Sequence, residues 1–170
     1  MTSESVRQHQ AEAPRQLTVA VITVSDTRTI DTDTSGSLIV DLLKAVGHHV
    51  VGREIVPDQP DKISNLLSHY GQRPDVDAVL ITGGTGISSR DLTFETVSAL
   101  LTKPLPGYGE LFRMLSYAEI GAATILSRAV GGLMDATVVL VMPGSRAAVE
   151  LAMSKIIIPE LPHLVREARK

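Results

Sequence analysis

Three aspartates, Asp26, Asp58 and Asp91, each follow a hydrophobic segment that has the composition of a β-strand. Ligands of open α/β sheets bind outside the carboxyl ends of the strands, so these side chains are candidates for chemistry. Carboxylates beside a phosphate usually act together with Mg²⁺, because without a cation they repel the ligand. A single loop aspartate is more often a turn former or a helix cap, and Asp91 is also placed to cap a helix beginning near Thr93. Three aspartates on one rim are less easily explained as caps.

A glycine-rich turn, T-G-G-T-G at residues 82–86, follows the third hydrophobic segment directly. Its three glycines permit positive φ and a close approach of the backbone to an anion, and successive amides in such a turn form a nest for phosphate. Nearby hydroxyls add donors at Thr82, Thr85, Ser88 and Ser89. The turn is neither a Walker A motif nor the G-x-G-x-x-G fingerprint. A tight structural turn and an anion site are both open readings, and the position after a buried strand near Asp91 favours the anion site.

A second turn, Pro143-Gly144-Ser145, ends another hydrophobic segment and precedes a predicted helix. Ser145 is a good N-cap residue, and the same helix start can offer its N–H groups to a phosphate or to a carbonyl group of a ligand. The two roles are compatible. Arg128, which follows Ser127, is of more interest, but a single arginine near a strand is usually a surface residue.

The hydrophobic pattern predicts the elements that must hold these turns in place. Strands are predicted at 17–24, 49–56, 77–82 and 136–142, with another within 123–134. Helices are predicted after Gly36, over 63–70, 93–101, 108–115 and 146–155, and near Pro162, while Pro104 and Pro106 predict an extended linker. This alternation favours an α/β fold in which helices cover both faces of a mostly parallel central sheet. If the sheet is parallel at these strands, the turns that follow them meet on one rim.

Length and composition limit the classes of function. The 170 residues, 44% hydrophobic and 21% charged, suit one domain over 17–170 behind a disordered tail over 1–16. The chain has no cysteine, which excludes disulfides, thiolate metal sites and a cysteine nucleophile. A net charge of -3, with no Trp and few other aromatic residues, argues against nucleic-acid binding. No apolar run approaches the roughly 20 residues that span a bilayer, and the polar start is no secretory signal, so we expect a cytoplasmic protein.

An ordered set of short motifs resembles the molybdenum cofactor biosynthesis protein B and molybdopterin adenylyltransferase family over residues 17–160. The motifs are V-I-T-V-S-D at 21–26, D-T-S-G at 33–36, L-I-T-G-G-T-G at 80–86, R-D-L-T at 90–93, P-G-Y-G-E at 106–110, F-R-M-L-S at 112–116, L-S-R-A-V at 126–130 and M-P-G-S at 142–145. Each motif alone is weak evidence. Their common order is highly specific.

The resemblance implies a three-layer, molybdopterin-binding-like α/β/α fold and a homotrimer or homohexamer. It implies Mg²⁺-dependent transfer of AMP from ATP to the terminal phosphate of molybdopterin, with Asp58 and Asp91 as catalytic and metal-binding residues. Contact with other enzymes of the pathway is a further expectation. The residues expected to bind the ligands are Ser25, Asp26, Ser35, Gly36, Thr82, Gly83, Gly84, Thr85, Gly86, Ser88, Pro143, Gly144 and Ser145.

Alternatives to the transferase stay open at this point. Some family members bind molybdopterin but lack one or both aspartates, so a non-catalytic carrier or scaffold is the main alternative, and a nucleotide-binding oligomer unrelated to molybdenum is another. This sequence keeps both aspartates, which favours activity. It carries T-F-E-T at 93–96 where T-P-E-A is more usual, and the stretch at 113–121 is closer to protein B.

Overall fold

The structure is a computed structural model that describes Pro14 and residues 16–170. The predicted tail over 1–16 therefore lies almost wholly outside the described residues. The described chain begins its regular structure at the first strand and ends in a long C-terminal helical segment. None of its helices is long and apolar enough to cross a membrane.

A six-stranded sheet with the order β2-β1-β3-β6-β5-β4 forms the centre of the molecule. Its strands are β1 Thr18–Val24, β2 His49–Val56, β3 Ala78–Thr82, β4 Lys103–Pro104, β5 Val130–Met134 and β6 Thr137–Met142. The first three strands and β6 are parallel, whereas β5 pairs antiparallel with β6 and β4 pairs antiparallel with β5. The predicted mostly parallel α/β fold is confirmed, with a mixed edge.

Helices cover both faces of this sheet. They are α1 Thr34–Ala45, α2 Pro60–Gly71, α3 Thr93–Leu100, α4 Pro106–Ile120, α5 Arg146–Ala152 and α6 Ile158–Ala168, with a 3₁₀ segment at Gly121–Leu126. One hydrophobic cluster joins α1, α4, α5 and α6 to one face, and a second joins α2 and α3 to the other. The central strands alternate between them, since Val19 and Val21 belong to the first cluster and Ala20 and Ile22 to the second. Strands buried on both faces explain the unbroken apolar runs in the sequence.

Three helix boundaries differ from the sequence-based prediction. Helix α1 begins at Thr34 rather than after Gly36, because the Asp33 carboxylate accepts the Gly36 N–H and caps the first turn. Pro106 begins α4 instead of continuing an extended linker, since a proline suits the first helical turn, where its missing N–H needs no partner. The last two helices are joined by a π-turn, Met153–Ile157, that lies directly before the proline-containing start of α6.

Candidate functional site

The carboxyl ends of the parallel strands lie level with one another. Thr23 of β1 pairs with Thr82 of β3, which pairs with Met142 of β6, and Val24 pairs with Val56 of β2. The four turns that follow these strands consequently leave the sheet at one edge. The structure thus brings together the turns that carry the candidate residues, as the parallel sheet predicted.

The glycine turn is packed too tightly for side chains. Gly83 and Gly84 have φ values of +101° and +64°, which L-residues rarely adopt. A Cβ on Gly83 would collide with the carbonyl oxygen of Val24, and one on Gly84 would collide with Thr93 Oγ1 and Asp58 Oδ2. A Cβ on Gly86 would lie 2.5 Å from Asp91 Oδ2. The turn is therefore a tightly packed structural turn. The two catalytic candidates, Asp58 and Asp91, lie directly against it.

Asp58 reaches the turn from the loop between β2 and α2. Its carboxylate accepts the Leu92 N–H at 3.2 and 3.3 Å and the Thr93 hydroxyl at 3.4 Å. The side chain is half-buried, and this burial raises the pKa of Asp58, with further upward contributions from the negative charges of Asp91 and Asp26. Asp58 is thus a carboxylate held at the start of α3 in a site that disfavours its charge.

Asp91 closes the loop that follows the glycine turn rather than capping α3. Its Oδ2 accepts the Ser88 N–H at 3.0 Å, whereas the N-cap residue of α3 is Leu92, which makes no side-chain cap hydrogen bond. The interpretation of Asp91 as a helix cap is therefore wrong. Asp26, from the turn after β1, pairs with Arg90 at 2.6 Å and so connects its own turn to the glycine turn.

A small cavity of about 150 Å³ lies where the turns meet the N-terminus of α1. Its walls include Ser25, Arg28, Thr34, Ser35, Gly83 and Gly144. Ser25 and Arg28 are shared with a larger open cavity of about 560 Å³ beside β2. The glycine backbone and the helix start supply the kinds of donor that bind oxyanions.

Buried polar contacts fix the residues around this cavity. Asp33, 3% exposed, accepts the Thr23 hydroxyl at 2.8 Å, the Gly36 N–H at 2.9 Å and an Arg53 N–H at 3.0 Å. The pairing of Asp33 with Arg53 has no signal in the sequence, because the two residues meet only through the packing of α1 beside β2. Gly36 is required here, since a Cβ would collide with Asp33 and lie 2.5 Å from Thr23 Oγ1.

Several predicted hydroxyls hold the turns together. Ser35 donates to the Gly144 carbonyl at 2.9 Å, and Thr82 donates to the Pro143 carbonyl at 3.2 Å. Ser145 caps α5 by accepting the Ala148 N–H at 3.2 Å, which confirms its predicted N-cap role. The candidate residues of the second turn are thus tied to the start of α1 and to the glycine turn.

Arg128 is a residue of this site that the sequence placed wrongly at the surface. Its side chain is only 23% exposed, and its guanidinium donates to backbone carbonyls of the glycine turn. A single arginine shortly before β5 gives no local signal of such a role. Its position within the L-S-R-A-V motif was the only available indication.

Comparison with known proteins matches this geometry to one family. The model of a family described as "Probable molybdopterin binding domain" matches residues 20–163. A relative from Halalkalibacterium halodurans named "Molybdenum cofactor biosynthesis protein B" is 52% identical over 167 residues, covering 98% of each chain. A solved structure of a protein with the same name has a TM-score of 0.89 at 50% identity, covering 93% of this chain and 99% of that one.

A tungsten cofactor synthesizing protein from Pyrococcus furiosus is also similar, with a TM-score of 0.83 and 38% identity over 93% of this chain and 100% of its own. Fold and site thus define an α/β protein of the molybdopterin-binding class. Within that class, the chain belongs to the family of molybdenum cofactor biosynthesis protein B, as its motif order indicated.

We expect Gly84→Ala to disrupt the glycine turn, because the new Cβ would meet Asp58 and Thr93 in a backbone conformation that alanine disfavours. The cost should be about 2–4 kcal/mol in the free energy of unfolding, measured by urea denaturation. Gly107→Ala is the matched control, since a Cβ at Gly107 meets nothing within 4 Å, and it should change stability by less than about 1 kcal/mol. A Gly84→Ala protein as stable as the Gly107→Ala protein would contradict this packing.

Asp58→Asn should gain stability relative to the parent protein as the pH rises from 4 to 8. The folded-state pKa of Asp58 is raised above the unfolded value of about 3.9, mainly by burial, so its stabilising contribution is present at low pH and is lost as pH rises through the folded-state pKa. The measurement is the difference in Tm between the two proteins across this pH range. Asp75→Asn is the control: the hydrogen bond from Arg73 lowers the pKa of Asp75, so this group titrates below about pH 4 and its Tm difference should stay constant from pH 4 to 8. A Tm difference for Asp58→Asn that does not vary with pH would refute the assigned direction.

Proposed function

We propose that this protein acts in molybdenum cofactor biosynthesis, binds molybdopterin and transfers AMP from ATP to its terminal phosphate. Relatives that are about half identical over nearly the full length carry the name of this pathway, which supports the pathway assignment. The transfer step is the finer part of the proposal and depends on the site itself. The cytoplasmic location expected from the sequence stays a prediction.

The observation that carries the transfer step is the position of two carboxylates directly against the glycine turn. Asp58 Oδ2 lies against Gly84, and Asp91 Oδ2 lies against Gly86, so the two acids flank backbone positions only two residues apart. Backbone amides attract a phosphate, and carboxylates repel it. Their combination is useful to a site that holds a phosphate together with a divalent cation.

The carboxylates fit the Mg²⁺ that the family resemblance implies. Mg²⁺ is usually held by one or two carboxylates together with substrate phosphates, and Asp58 and Asp91 would provide such a pair. The raised pKa of Asp58 reflects burial and the charges of Asp91 and Asp26, and a bound cation would relieve both penalties. Among the described residues no cluster of three or more His, Asp or Glu side chains is arranged to hold a metal, so the remaining ligands would come from substrate phosphates and water.

In the proposed reaction an oxygen of the molybdopterin terminal phosphate attacks the α-phosphorus of ATP. The bond from this phosphorus to the bridging oxygen of the β-phosphate breaks, pyrophosphate leaves, and a phosphoanhydride joins AMP to the pterin. Such transfers depend on positioning and charge neutralisation. Bound Mg²⁺ would neutralise charge on the phosphates. The N–H groups of the glycine turn would orient one phosphate, while the carboxylates of Asp58 and Asp91 would bind the cation.

Asp91→Asn and Asp58→Asn should each lower AMP transfer by about 100-fold or more. Each substitution removes one charged ligand of the Mg²⁺ ion that would bind the substrate phosphates. The assay measures pyrophosphate release from ATP in the presence of molybdopterin and Mg²⁺. Binding of molybdopterin alone should change less than about three-fold, since the substitutions keep the shape of the site. Asp61→Asn is the matched control, because Asp61 is an exposed acid in the first turn of α2, three residues from Asp58.

Three results would contradict parts of this proposal. Unchanged pyrophosphate release in Asp91→Asn would remove the role of this residue. Tight molybdopterin binding without pyrophosphate release by the parent protein would instead support the carrier or scaffold function. Failure to bind molybdopterin at all would favour a nucleotide-binding protein of another pathway.

We also propose that several copies of the chain associate as a homotrimer or homohexamer through an apolar surface on α4 and the 3₁₀ segment. Every third residue of α4 from Leu111 onward presents an exposed apolar side chain, and two more follow in the 3₁₀ segment. This apolar surface consists of Leu111, Met114, Tyr117, Ile120, Ile125 and Leu126. Successive members of this set on α4 are neighbours at i, i+3 spacing, and exposed apolar patches are typical of protein interfaces.

The mass in solution should be three or six times the 18.2 kDa of one chain, measured by light scattering after size-exclusion chromatography. Tyr117→Lys and Ile125→Lys should reduce it, because a lysine at either position places a charge in the middle of the contact. Val46→Lys is the control, since Val46 is an exposed apolar residue at the end of α1. A monomeric parent protein would rule out this interface.

A further inference from the structure

Arg128 binds the glycine turn and the loop after it through hydrogen bonds to three backbone carbonyls. Its Nε donates to the Thr85 carbonyl at 2.9 Å, and its Nη2 donates to the carbonyls of Gly86 and of Asp91, the latter at 3.1 Å. The carbonyl of Gly84 is engaged as well, by the Thr93 N–H at 3.2 Å. Three successive carbonyls, at 84, 85 and 86, are therefore bound by groups on the same side of the molecule as α3.

Fixing these carbonyls also fixes the direction of the neighbouring amides. In a trans peptide the C=O and the following N–H point in opposite directions. The N–H groups of Thr85, Gly86 and Ile87 consequently point away from the groups that bind the carbonyls. Within the described chain none of these three N–H groups has a hydrogen-bond acceptor, and Ile87 is 73% exposed. A row of amides aimed in one direction is the arrangement that binds a phosphate.

The guanidinium itself is held from two further sides. It forms an ion pair with Glu95 and lies over the ring of Phe94, 5.0 Å from the ring centroid to the guanidinium carbon. Both residues belong to the first turn of α3. Lysine could not replace this arrangement, because a single ammonium cannot donate in a planar fork and stack on a ring at the same time.

We propose that Arg128 is a positioning residue that turns the segment 85–87 into a phosphate-binding row of amides, with Phe94 and Glu95 holding its guanidinium. Only the identity of the anion as a substrate phosphate rests on the proposed function. The phosphate can belong to ATP or to molybdopterin, because the amides recognise the oxyanion alone. Arg128 acts through the backbone and does not need to touch the substrate.

The test uses Arg128→Lys, which keeps the positive charge and loses the planar set of guanidinium N–H donors. Inorganic pyrophosphate is titrated into the full-length protein, and the backbone amide signals of residues 85–87 are followed by NMR. In the parent protein the signals of Gly86 and Ile87 should shift on binding, and Arg128→Lys should bind about ten-fold more weakly, as expected for the loss of charge-assisted hydrogen bonds. Phe94→Leu, a milder second variant, should bind more weakly by about two- to five-fold, since it loses only the ring face.

Arg73→Lys is the matched control, because Arg73 forms a similar two-pronged ion pair with Asp75 at the opposite end of β3, and it should bind as the parent does. Two further titrations identify the source of the phosphate, one with a non-hydrolysable ATP analogue and one with molybdopterin. A shift of the Gly86 and Ile87 signals with either ligand supports the proposal. If neither ligand shifts these signals, the proposal is overturned.

Other outcomes are equally decisive. Parent-like binding by Arg128→Lys, with weak binding only by Arg128→Gln, would show that charge alone matters and would overturn the positioning role. Because the titration needs no turnover, it separates the two proposals. A parent protein that binds pyrophosphate through residues 85–87 but transfers no AMP keeps the role of Arg128 and refutes the transferase.

Discussion

The level ends of the parallel strands are the constraint on which the rest of the site depends. Because Thr23, Thr82 and Met142 stand side by side across β1, β3 and β6, these strands end within one residue of the same height, and each is followed by a turn. The chain must then pack three turns into the width of three strands, roughly 10 Å between the outer two. The helices on both faces keep these strands central and buried, so the turns have no freedom to spread.

This crowding explains why the rim is built from backbone rather than from side chains. A Cβ on Gly144 would lie 3.2 Å from the Cα of Gly83, and a Cβ on Gly83 would strike the end of β1. The two readings of the T-G-G-T-G turn left open by the sequence are therefore not alternatives. The same turn that requires glycine also carries N–H groups, at Thr85, Gly86 and Ile87, without an acceptor among the described residues, and the binding of an anion to them stays a prediction.

Local signals in the sequence predicted most of the fold, and long-range contacts account for what was missed. The buried strands were recognisable because they are apolar on both faces, and Ser145 was recognisable as a cap because its partner is three residues away. Arg128 was missed because its partners lie about forty residues earlier in the chain, where no spacing rule applies. The cap at α3 was misassigned for the same reason, since Asp58 supplies it across 34 residues.

Three arginines near this edge of the sheet are already paired with carboxylates and backbone carbonyls, which limits how they can act on a bound phosphate. Arg128 is occupied by backbone carbonyls and Glu95, Arg53 by Asp33 and neighbouring carbonyls, and Arg90 by Asp26. Arginines engaged in this way orient the turns but have less capacity left to neutralise a phosphate. Asp58, meanwhile, has a raised pKa mainly because it is half-buried, with smaller upward contributions from the charges of Asp91 and Asp26. Among the described residues no arginine forms an ion pair with Asp58, and this supports the proposal that Asp58 faces a cation when a phosphate is bound.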